Sequence, residues 1–352
     1  MCVKDIAVLS TIRRCFLEYA QDKIKNVCQI MQKKKGIPIP CICSWRGDMV
    51  NFSQTVMKIR KLKGMYKELY LYGGFHRISG NGGVWGVQNH REVTSEMWKY
   101  NPRNKKWSMT RYMLPSNIPL PRHQSGFVAI QNKMYMVGGT DCSHQPTTNL
   151  QCYDILREIW ETIPSMSVAR IKFCTAVLDG KLYVLGGHDN HGHLNLIECY
   201  NPEEKTWNMK TPMPTARSPF GTVVYNGILY AMGGTIHGDI NDIHPEQNVD
   251  TDIIECYDPK TDSWTTYKYS LSSPKSRFGC AILEDTIYIA GGVEKWDHPC
   301  STLFNTFECH TLECDMLEHD TWNIRSDIFW TGIRDVQINV IDDRLYLVGA
   351  CD

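Results

Sequence analysis

The sequence lacks any run of eighteen apolar residues, so no segment has the length needed to cross a membrane as a helix. Its first residues also lack the apolar core of a secretory signal peptide. The 15 cysteines, an odd number, are scattered through apolar contexts and form no paired Cys-x-x-Cys set. Such usage is typical of reduced thiols rather than of a disulfide framework or a structural zinc site. We therefore expect a cytoplasmic or nuclear chain with no membrane partner.

Catalytic and cofactor motifs are missing as well. No glycine cluster is followed by the Lys and Ser or Thr of a phosphate loop, and no Ser–His–Asp or Cys–His arrangement stands out. His188, His191 and His193 lie with Asp189 in one polar loop, where solvated histidines are a better interpretation than metal ligands. We predict no enzymatic activity, no cofactor and no metal site.

Charge is unevenly spread, although 38 Lys and Arg balance 38 Asp and Glu. Residues 1–67 hold 14 basic and 4 acidic residues, so the remainder carries a net charge of −10. An acidic body argues against a nucleic-acid groove, and we expect no nucleic-acid partner. The basic segment is interpreted as a solvated helix and linker.

An internal repeat is the clearest pattern present. An apolar run ending in two glycines occurs five times, and a sixth copy ends in Gly-Ala. The runs are Leu69–Gly74, Met134–Gly139, Leu182–Gly187, Leu229–Gly234, Ile287–Gly292 and Leu345–Ala350. Their first glycines lie 65, 48, 47, 58 and 58 residues apart. A period of this size indicates modules that stack on their neighbours.

A tyrosine and a tryptophan, seven residues apart, follow most of the glycine pairs. The pairs are Tyr100 and Trp107, Tyr153 and Trp160, Tyr200 and Trp207, and Tyr257 and Trp264. In the fifth copy the pattern aligns Leu312-Glu313-Cys314-Asp315 with Ile254-Glu255-Cys256-Tyr257, so that Asp315 replaces the tyrosine and Trp322 is kept. Between the two aromatic residues lies a turn of the Asp-Pro or Asn-Pro kind. Each unit is therefore predicted to hold four strands.

The repeat resembles the kelch repeat, which has a Gly-Gly pair followed by spaced Tyr and Trp. The resemblance covers residues 67–350 and implies one propeller blade per repeat. We therefore expect an all-β kelch β-propeller, with five complete blades and a partial sixth. The aromatic rings suit the layer between blades, and glycine suits a sharp turn where backbones approach closely.

Both ends of the array need separate interpretation. The sixth unit stops after two strands, as in a truncated chain or an isoform; the alternative is a five-bladed ring in which residues 336–341 complete the first blade beside residues 69–72.

Residues 5–32 show helical periodicity. We predict a helical, basic segment and linker over 1–66 and the propeller over 67–352. The segment weakly resembles the end of the BACK region of BTB–BACK–kelch proteins; a tail helix is the alternative.

The resemblance also suggests two columns of partner-binding residues. One is the basic residue sixteen positions before the first glycine, and the other is the residue just after Gly-Gly. The first column is Arg122, Arg170, Arg217 and Lys275, and the second is Phe75, Thr140, His188, Thr235 and Val293. Guanidinium groups around one mouth would hold carboxylates. The alternative is that these basic residues bond to backbone carbonyls of the neighbouring blade.

The resemblance implies protein binding at the propeller mouth. The favoured hypothesis is the substrate-recognition part of a cullin-RING ubiquitin ligase of the BTB–kelch type. In that case a cullin would be reached through a BTB domain that is absent from this chain. An actin-binding or other cytoskeletal scaffold is the alternative.

Overall fold

A computed structural model describes the chain at residues 56–61, 65–72, 75–77, 91–93, 97–101, 105–110, 124–131, 133–140, 145–154, 157, 159–237, 248–294, 302–312, 322–325, 332–341 and 343–351. Within these ranges the secondary structure consists of strands and turns, and no helix has the length and hydropathy to cross a bilayer. The helix predicted over residues 5–32 lies outside the described residues.

The strands follow one another as β1 (Val56–Lys61), β2 (Met65–Tyr72), β3 (Phe75–Arg77), β4 (Arg91–Val93), β5 (Met97–Asn101), β6 (Lys106–Thr110), β7 (Gly126–Ile130), β8 (Lys133–Val137), β9 (Leu150–Asp154), β10 (Ile159–Ile163), β11 (Cys174–Leu178), β12 (Lys181–Leu185), β13 (Ile197–Asn201), β14 (Thr206–Lys210), β15 (Gly221–Tyr225), β16 (Ile228–Met232), β17 (Thr235–His237), β18 (Asn248–Asp250), β19 (Ile254–Asp258), β20 (Ser263–Thr266), β21 (Gly279–Leu283), β22 (Thr286–Ala290), β23 (Val293–Glu294), β24 (Thr302–Leu303), β25 (Phe307–Thr311), β26 (Asn323–Arg325), β27 (Ile333–Ile341) and β28 (Arg344–Cys351).

These strands form a β-propeller. The four-stranded antiparallel sheets have the orders β1-β2-β5-β6, β7-β8-β9-β10, β11-β12-β13-β14, β15-β16-β19-β20 and β21-β22-β25-β26, and β27 pairs with β28. The small hairpins β3-β4, β17-β18 and β23-β24 extend beyond the Gly-Gly position of three sheets. The predicted all-β propeller is confirmed.

Tight turns fix the register between the first two strands of a sheet. Asp179 and Gly180 both have positive φ, 50° and 70°, and so do Asn226 and Gly227, 48° and 78°. Asp-Gly and Asn-Gly are the residue pairs that tolerate such turns, whose twist matches that of the flanking strands. The turns leave the beginning of the first strand and the end of the second at the same edge of each sheet.

The predicted aromatic layer is confirmed. Tyr200 lies directly opposite Trp207 in the sheet, with ring centroids 5.2 Å apart, and Tyr200 is only 1% exposed. The Trp207 indole N–H donates to the Pro164 carbonyl of the preceding unit at 2.8 Å. Trp264 and Trp322 donate in the same way to preceding carbonyls. Each tryptophan thus joins one sheet to its neighbour.

The fifth unit departs from the predicted alignment. The strand that pairs with β22 is Phe307–Thr311, so His310 rather than Asp315 occupies the tyrosine position. The His310 ring stacks on Trp322, with centroids 5.1 Å apart. The prediction was wrong because an apolar-Glu-Cys sequence occurs twice, as Phe307-Glu308-Cys309 and Leu312-Glu313-Cys314, and the first copy lies in the strand that pairs with β22.

The ends of the array also differ from expectation. Residues 56–61, in the predicted linker, form β1 and pair with β2, so the first sheet extends N-terminal to residue 67. The prediction that residues 336–341 complete the first blade beside residues 69–72 is wrong, because residues 336–341 pair with β28 and β2 pairs with β1 and β5. Among the described residues, the first strands contact one another in a closed circle of β1, β7, β11, β15, β21 and β27.

Candidate functional site

The loop face is the face of the propeller at which second strands end and first strands begin. It comprises residues 75–77, 91–93, 124–125, 138–149, 170–173, 186–196, 217–220, 233–253, 275–278, 291–306 and 332–335, as far as these are described. The antiparallel pairing of the first two strands brings the two predicted columns together here, since one column precedes the first strand and the other follows the second.

Three members of the basic column are interior side chains. Arg170, Arg217 and Lys275 are each 0% exposed. Arg170 forms an ion pair with Glu198 at 2.6 Å, and Arg217 forms one with Glu255 at 2.7 Å. Lys275 pairs in the same way with Glu308. The three acids occupy the same position of the third strand in successive sheets.

Backbone carbonyls complete the networks of the two arginines. The Arg170 Nη1 group donates to the carbonyls of Gly186 and Leu196, at 3.2 and 3.1 Å. Arg217 Nη1 donates to the equivalent carbonyls of Gly233 and Ile253. Burial lowers the pKa of the Arg170 guanidinium, and the Glu198 carboxylate opposes that shift. The side chain thereby gives the buried Gly186 carbonyl a donor and adds a second donor to the Leu196 carbonyl, which already accepts the Gly186 N–H.

The main chain of the basic column holds neighbouring units together. The Gly139 N–H donates to the Arg170 carbonyl at 3.2 Å, and the Gly187 N–H donates to the Arg217 carbonyl at 3.2 Å. An added Cβ at Gly187, which has φ +102°, would lie 2.7 Å from Cβ of Phe173. A side chain at this glycine would therefore collide with the entry to the first strand.

This geometry favours the structural interpretation of the basic column over the partner-binding one, with one difference. The side chains bond to carbonyls of their own sheet, whereas the prediction placed these bonds on the neighbouring blade. Arg122 lies outside the described residues. Partner contact by this column stays a prediction, and the buried ion pairs leave Arg170, Arg217 and Lys275 no exposed side-chain surface.

The acidic partners were missed at the level of sequence, although a signal was present. Glu198, Glu255 and Glu308 each precede a cysteine in the third strand, and each follows its basic partner by 28 to 38 residues. The corresponding residue of the second sheet is Gln151, which is neutral. A fixed acid in a strand that is otherwise apolar indicates a buried cation nearby.

The second predicted column has mixed surroundings. Thr140 is 3% exposed and its Oγ1 atom has no hydrogen-bond partner. Thr235 is 6% exposed and donates to Asp250 at 2.7 Å, while Val293 is fully buried. His188 is half-buried, and its backbone pairs with Ile171. Phe75 begins β3. The structure brings these residues to the loop face, and their contact with a partner stays a prediction.

A third column lies two residues beyond the basic one and was also missed. Gln124, Lys172, Arg277 and Asp335 all have positive φ, between 52° and 56°. Lys172 and Gln124 are partly exposed, whereas Arg277 is bound by both carboxylate oxygens of Asp335 at 3.1 Å. The backbone turn directs these side chains away from the strand that follows. Lys172 is thus a partly exposed cation of the loop face.

Buried oxygen atoms without hydrogen-bond partners also lie at this face. Within the described residues they include Gln124 Oε1, Ser125 Oγ, Thr140 Oγ1 and Ser276 Oγ. Buried polar atoms are normally hydrogen-bonded, and an ordered water is a usual partner where the protein supplies none. The described residues contain no group of three acidic, His or Cys side chains suited to a metal ion.

A separate cavity of about 350 Å³ opens at the opposite face, between the second and third sheets. Lys133, Lys181, Asp154 and Glu203 contribute charges of both signs to its walls, beside Tyr135. Burial raises the pKa of the Tyr135 phenol, which therefore stays protonated and neutral. The mixed charges give this cavity no evident preference for an anion or a cation.

The repeat, the sheets and the loop face define a β-propeller that works as a protein-interaction module. Residues 64–292 match the KLHDC2/KLHL20/DRC7 Kelch-repeats domain. The chain therefore belongs to the kelch-repeat family. This match covers more than half of the sequence and includes the region from β2 to β22, in which the Arg170–Glu198 and Arg217–Glu255 ion pairs lie.

The names of curated relatives contain kelch, and two of the following three also contain BTB or F-box. The chain is 28% identical over 131 residues to a human "Kelch repeat and BTB domain-containing protein 12", covering 35% of this chain and 20% of that protein. It is 24% identical over 188 residues to human "Kelch-like protein 6", covering 53% and 23%. It is 35% identical over 91 residues to a putative F-box/kelch-repeat protein of Arabidopsis thaliana, covering 25% of each. The chain thus spans about a quarter or less of these relatives.

Proposed function

We propose that this chain is the substrate-recognition part of a cullin-RING ubiquitin ligase of the BTB–kelch type. Its membership of a protein-interaction family supports the recognition role, and relatives whose names combine kelch repeats with BTB or F-box domains support the ligase context. The cullin would be engaged through a BTB domain outside the sequence studied, and the substrate through the loop face.

The observation that carries the recognition role is the contrast between a repeated frame and variable loops. Strands two and three keep the same pairing in successive sheets, and the buried Arg–Glu pairs recur with them. The chain after Gly-Gly differs from unit to unit. In the second unit Thr140 forms an isolated β-bridge with Pro146, whereas in the fourth unit Thr235 begins the hairpin of β17 and β18. Variable loops on a constant scaffold are a common basis of specific recognition.

We assign the first contacts with a substrate to partly exposed residues of the loop face. Lys172 and His188 lie side by side at the entry of the third sheet, since His188 pairs with Ile171. Gln124 provides an amide at the entry of the second sheet. A cation next to neutral donors and acceptors suits a peptide segment with a carboxylate and free backbone groups.

Proximity labelling in cells, followed by mass spectrometry, tests this proposal. The variant is Lys172→Asn, because asparagine tolerates the positive φ of 52° at this position. The matched control is Lys181→Asn, since Lys181 is an exposed lysine of the same sheet next to the turn at its opposite end. We expect Lys172→Asn to lose a set of labelled proteins that Lys181→Asn retains.

Co-purification of the full-length product tests the ligase context separately. A cullin recovered with wild type and with both lysine variants supports the adaptor role, because the cullin contact does not use the loop face. Recovery of actin filaments without a cullin would replace the adaptor role by the cytoskeletal one. Identical labelled proteins in both lysine variants would remove Lys172 from the recognition site.

A further inference from the structure

Three histidine rings from two neighbouring units meet on the loop face. The rings of His188 and His193 are 5.5 Å apart between centroids, in an edge-to-face arrangement. The rings of His193 and His237 are 4.8 Å apart. His188 and His193 belong to the loop of the third sheet, whereas His237 ends β17 of the next unit. The cluster therefore joins the 188–193 loop to the β17–β18 hairpin.

The central ring, His193, is held from both sides by the neighbouring unit. Its Nε2 atom lies 3.1 Å from Oδ1 of Asn248, and its Nδ1 atom lies 3.0 Å from Oγ of Ser218. Since Oδ1 can only accept, Nε2 carries a hydrogen and the neutral ring accepts the Ser218 hydroxyl at Nδ1. A single neutral tautomer thus satisfies both contacts.

Close packing leaves little room between the loop and the hairpin. A Cβ added at Gly192, where φ is +136°, would lie 2.8 Å from Nε2 of His237. The positive φ favours glycine at this position, and the His237 ring would have to move to admit a side chain here.

We propose that His188, His193 and His237 form a proton-sensitive contact, which holds the stem of the β17–β18 hairpin against the 188–193 loop at neutral pH and weakens under acidic conditions.

The charges around the cluster favour the neutral rings. Burial lowers the pKa of His193, and His237, His188 and Lys172 lower it further, against the hydrogen bond to Asn248. Burial also lowers the pKa of His188, as do Lys172 and His237, while Asp189 opposes the shift. On the hairpin, the Asp250 carboxylate accepts a hydrogen bond from Thr235.

The sign of the pH dependence follows from these directions. Released His188 and His193 have ordinary pKa values near 6.5, whereas the docked rings of these two residues have lower ones, so the released state binds more protons as the pH falls. The contact is therefore fully present above about pH 6.5 and is lost as the pH falls through the docked pKa values. Each unit of pKa difference corresponds to about tenfold in the equilibrium between docked and released states.

The consequence for recognition rests on the proposed function. The cluster includes His188 and lies beside Lys172, both of which we assign to substrate contact. Release of the hairpin stem would change the shape and the charge of this part of the loop face together. The contact itself can be tested on the protein alone, so its failure and that of the proposed function are distinguishable.

Hydrogen exchange measured by mass spectrometry or NMR tests the proposal on the full chain. Amides of β17 and β18 exchange through opening of the hairpin. Once the intrinsic pH dependence of amide exchange is divided out, their rates report the docking equilibrium. In wild type we expect these corrected rates to rise about tenfold or more between pH 7.5 and pH 5.0, relative to amides of β12. His193→Gln should abolish most of that pH dependence.

A matched control is available in the same loop. His191 is exposed and lies outside the ring cluster, so His191→Gln should keep the wild-type pH dependence. His237→Gln, which removes an exposed ring from the opposite side, should reduce it. A hairpin whose corrected exchange is independent of pH in wild type, or equally dependent in wild type and His193→Gln, would overturn the proposal.

Discussion

Buried charges are the most consequential single residues of this propeller. Among the described members of the basic column, each side chain reaches one carboxylate, and the two arginines also reach two carbonyls of their own sheet. The same carboxylate also fixes the linker between units, since Glu198 accepts both the backbone N–H and the hydroxyl of Ser167. A burial of this kind is tolerated because every charge has partners.

Arg217→Ala is expected to lower the free energy of unfolding by about 3–5 kcal/mol, because Glu255 would be left as an uncompensated buried charge. Denaturant unfolding followed by tryptophan fluorescence measures the loss. Arg157→Ala is the control: its side chain is 69% exposed in its contacts with Asp154 and Glu161, so removal should cost less than about 1 kcal/mol. Equal losses in the two variants would contradict the interior role.

The sequence predicted where the basic column lies but not which way its side chains point. Repetition of Arg170 and Arg217 at one distance from the glycines located the column, because spacing is visible in sequence. Their burial depends on Glu198 and Glu255, which lie 28 and 38 residues further on. Such partners can be recognised in a sequence only when the strand pairing is known, because the pairing shows which acid lies opposite which basic residue.

At the scale of elements, two sequence signals define each four-stranded unit. The Gly-Gly pair ends the second strand where the next unit enters, and the Tyr–Trp pair joins strands three and four. These signals allowed four of the aromatic pairs to be predicted in register. The fifth unit failed because the seven-residue spacing to Trp322 fits the copy at Glu313-Cys314, whereas the strand that pairs with β22 holds the copy at Glu308-Cys309.

Gly187→Ala is expected to destabilise the protein by more than Gly180→Ala. Both glycines have positive φ, so each alanine suffers backbone strain of about 1–2 kcal/mol. At Gly187 the added methyl also meets Phe173 and the Ile171 carbonyl within 3 Å, whereas at Gly180 nothing lies within 4 Å. Overpacking adds about 1–3 kcal/mol at the first site. Thermal unfolding of the two variants under the same conditions measures the difference. Equal shifts of Tm would argue against close packing at Gly187.

At the scale of the whole molecule, stability comes from interfaces between successive sheets. The apolar clusters each combine residues of two neighbouring units, as where Leu185 of β12 packs with Leu229 of β16. The ring is closed by a smaller cluster in which Ile341 of β27 contacts Tyr100 and Trp107 of the first sheet. Closure of this kind could not be predicted from spacing, since β1 carries no Gly-Gly or Tyr–Trp signal.

Ile341→Ala tests whether this closing interface stabilises sheets on both sides. Ile341 is fully buried, and truncation of a buried isoleucine costs about 2–5 kcal/mol. Because its neighbours include Tyr100 and Trp107, and Tyr346 lies 6.2 Å from Tyr100, protection should fall in β5 and β6 as well as in β27 and β28. Hydrogen exchange by mass spectrometry measures protection in each strand. Ile324→Ala, which removes a side chain 53% exposed on β26, is the control and should leave all four strands unchanged. If Ile341→Ala loosened only β27 and β28, the first sheet would not depend on the closing contact, and the propeller would behave as an open array.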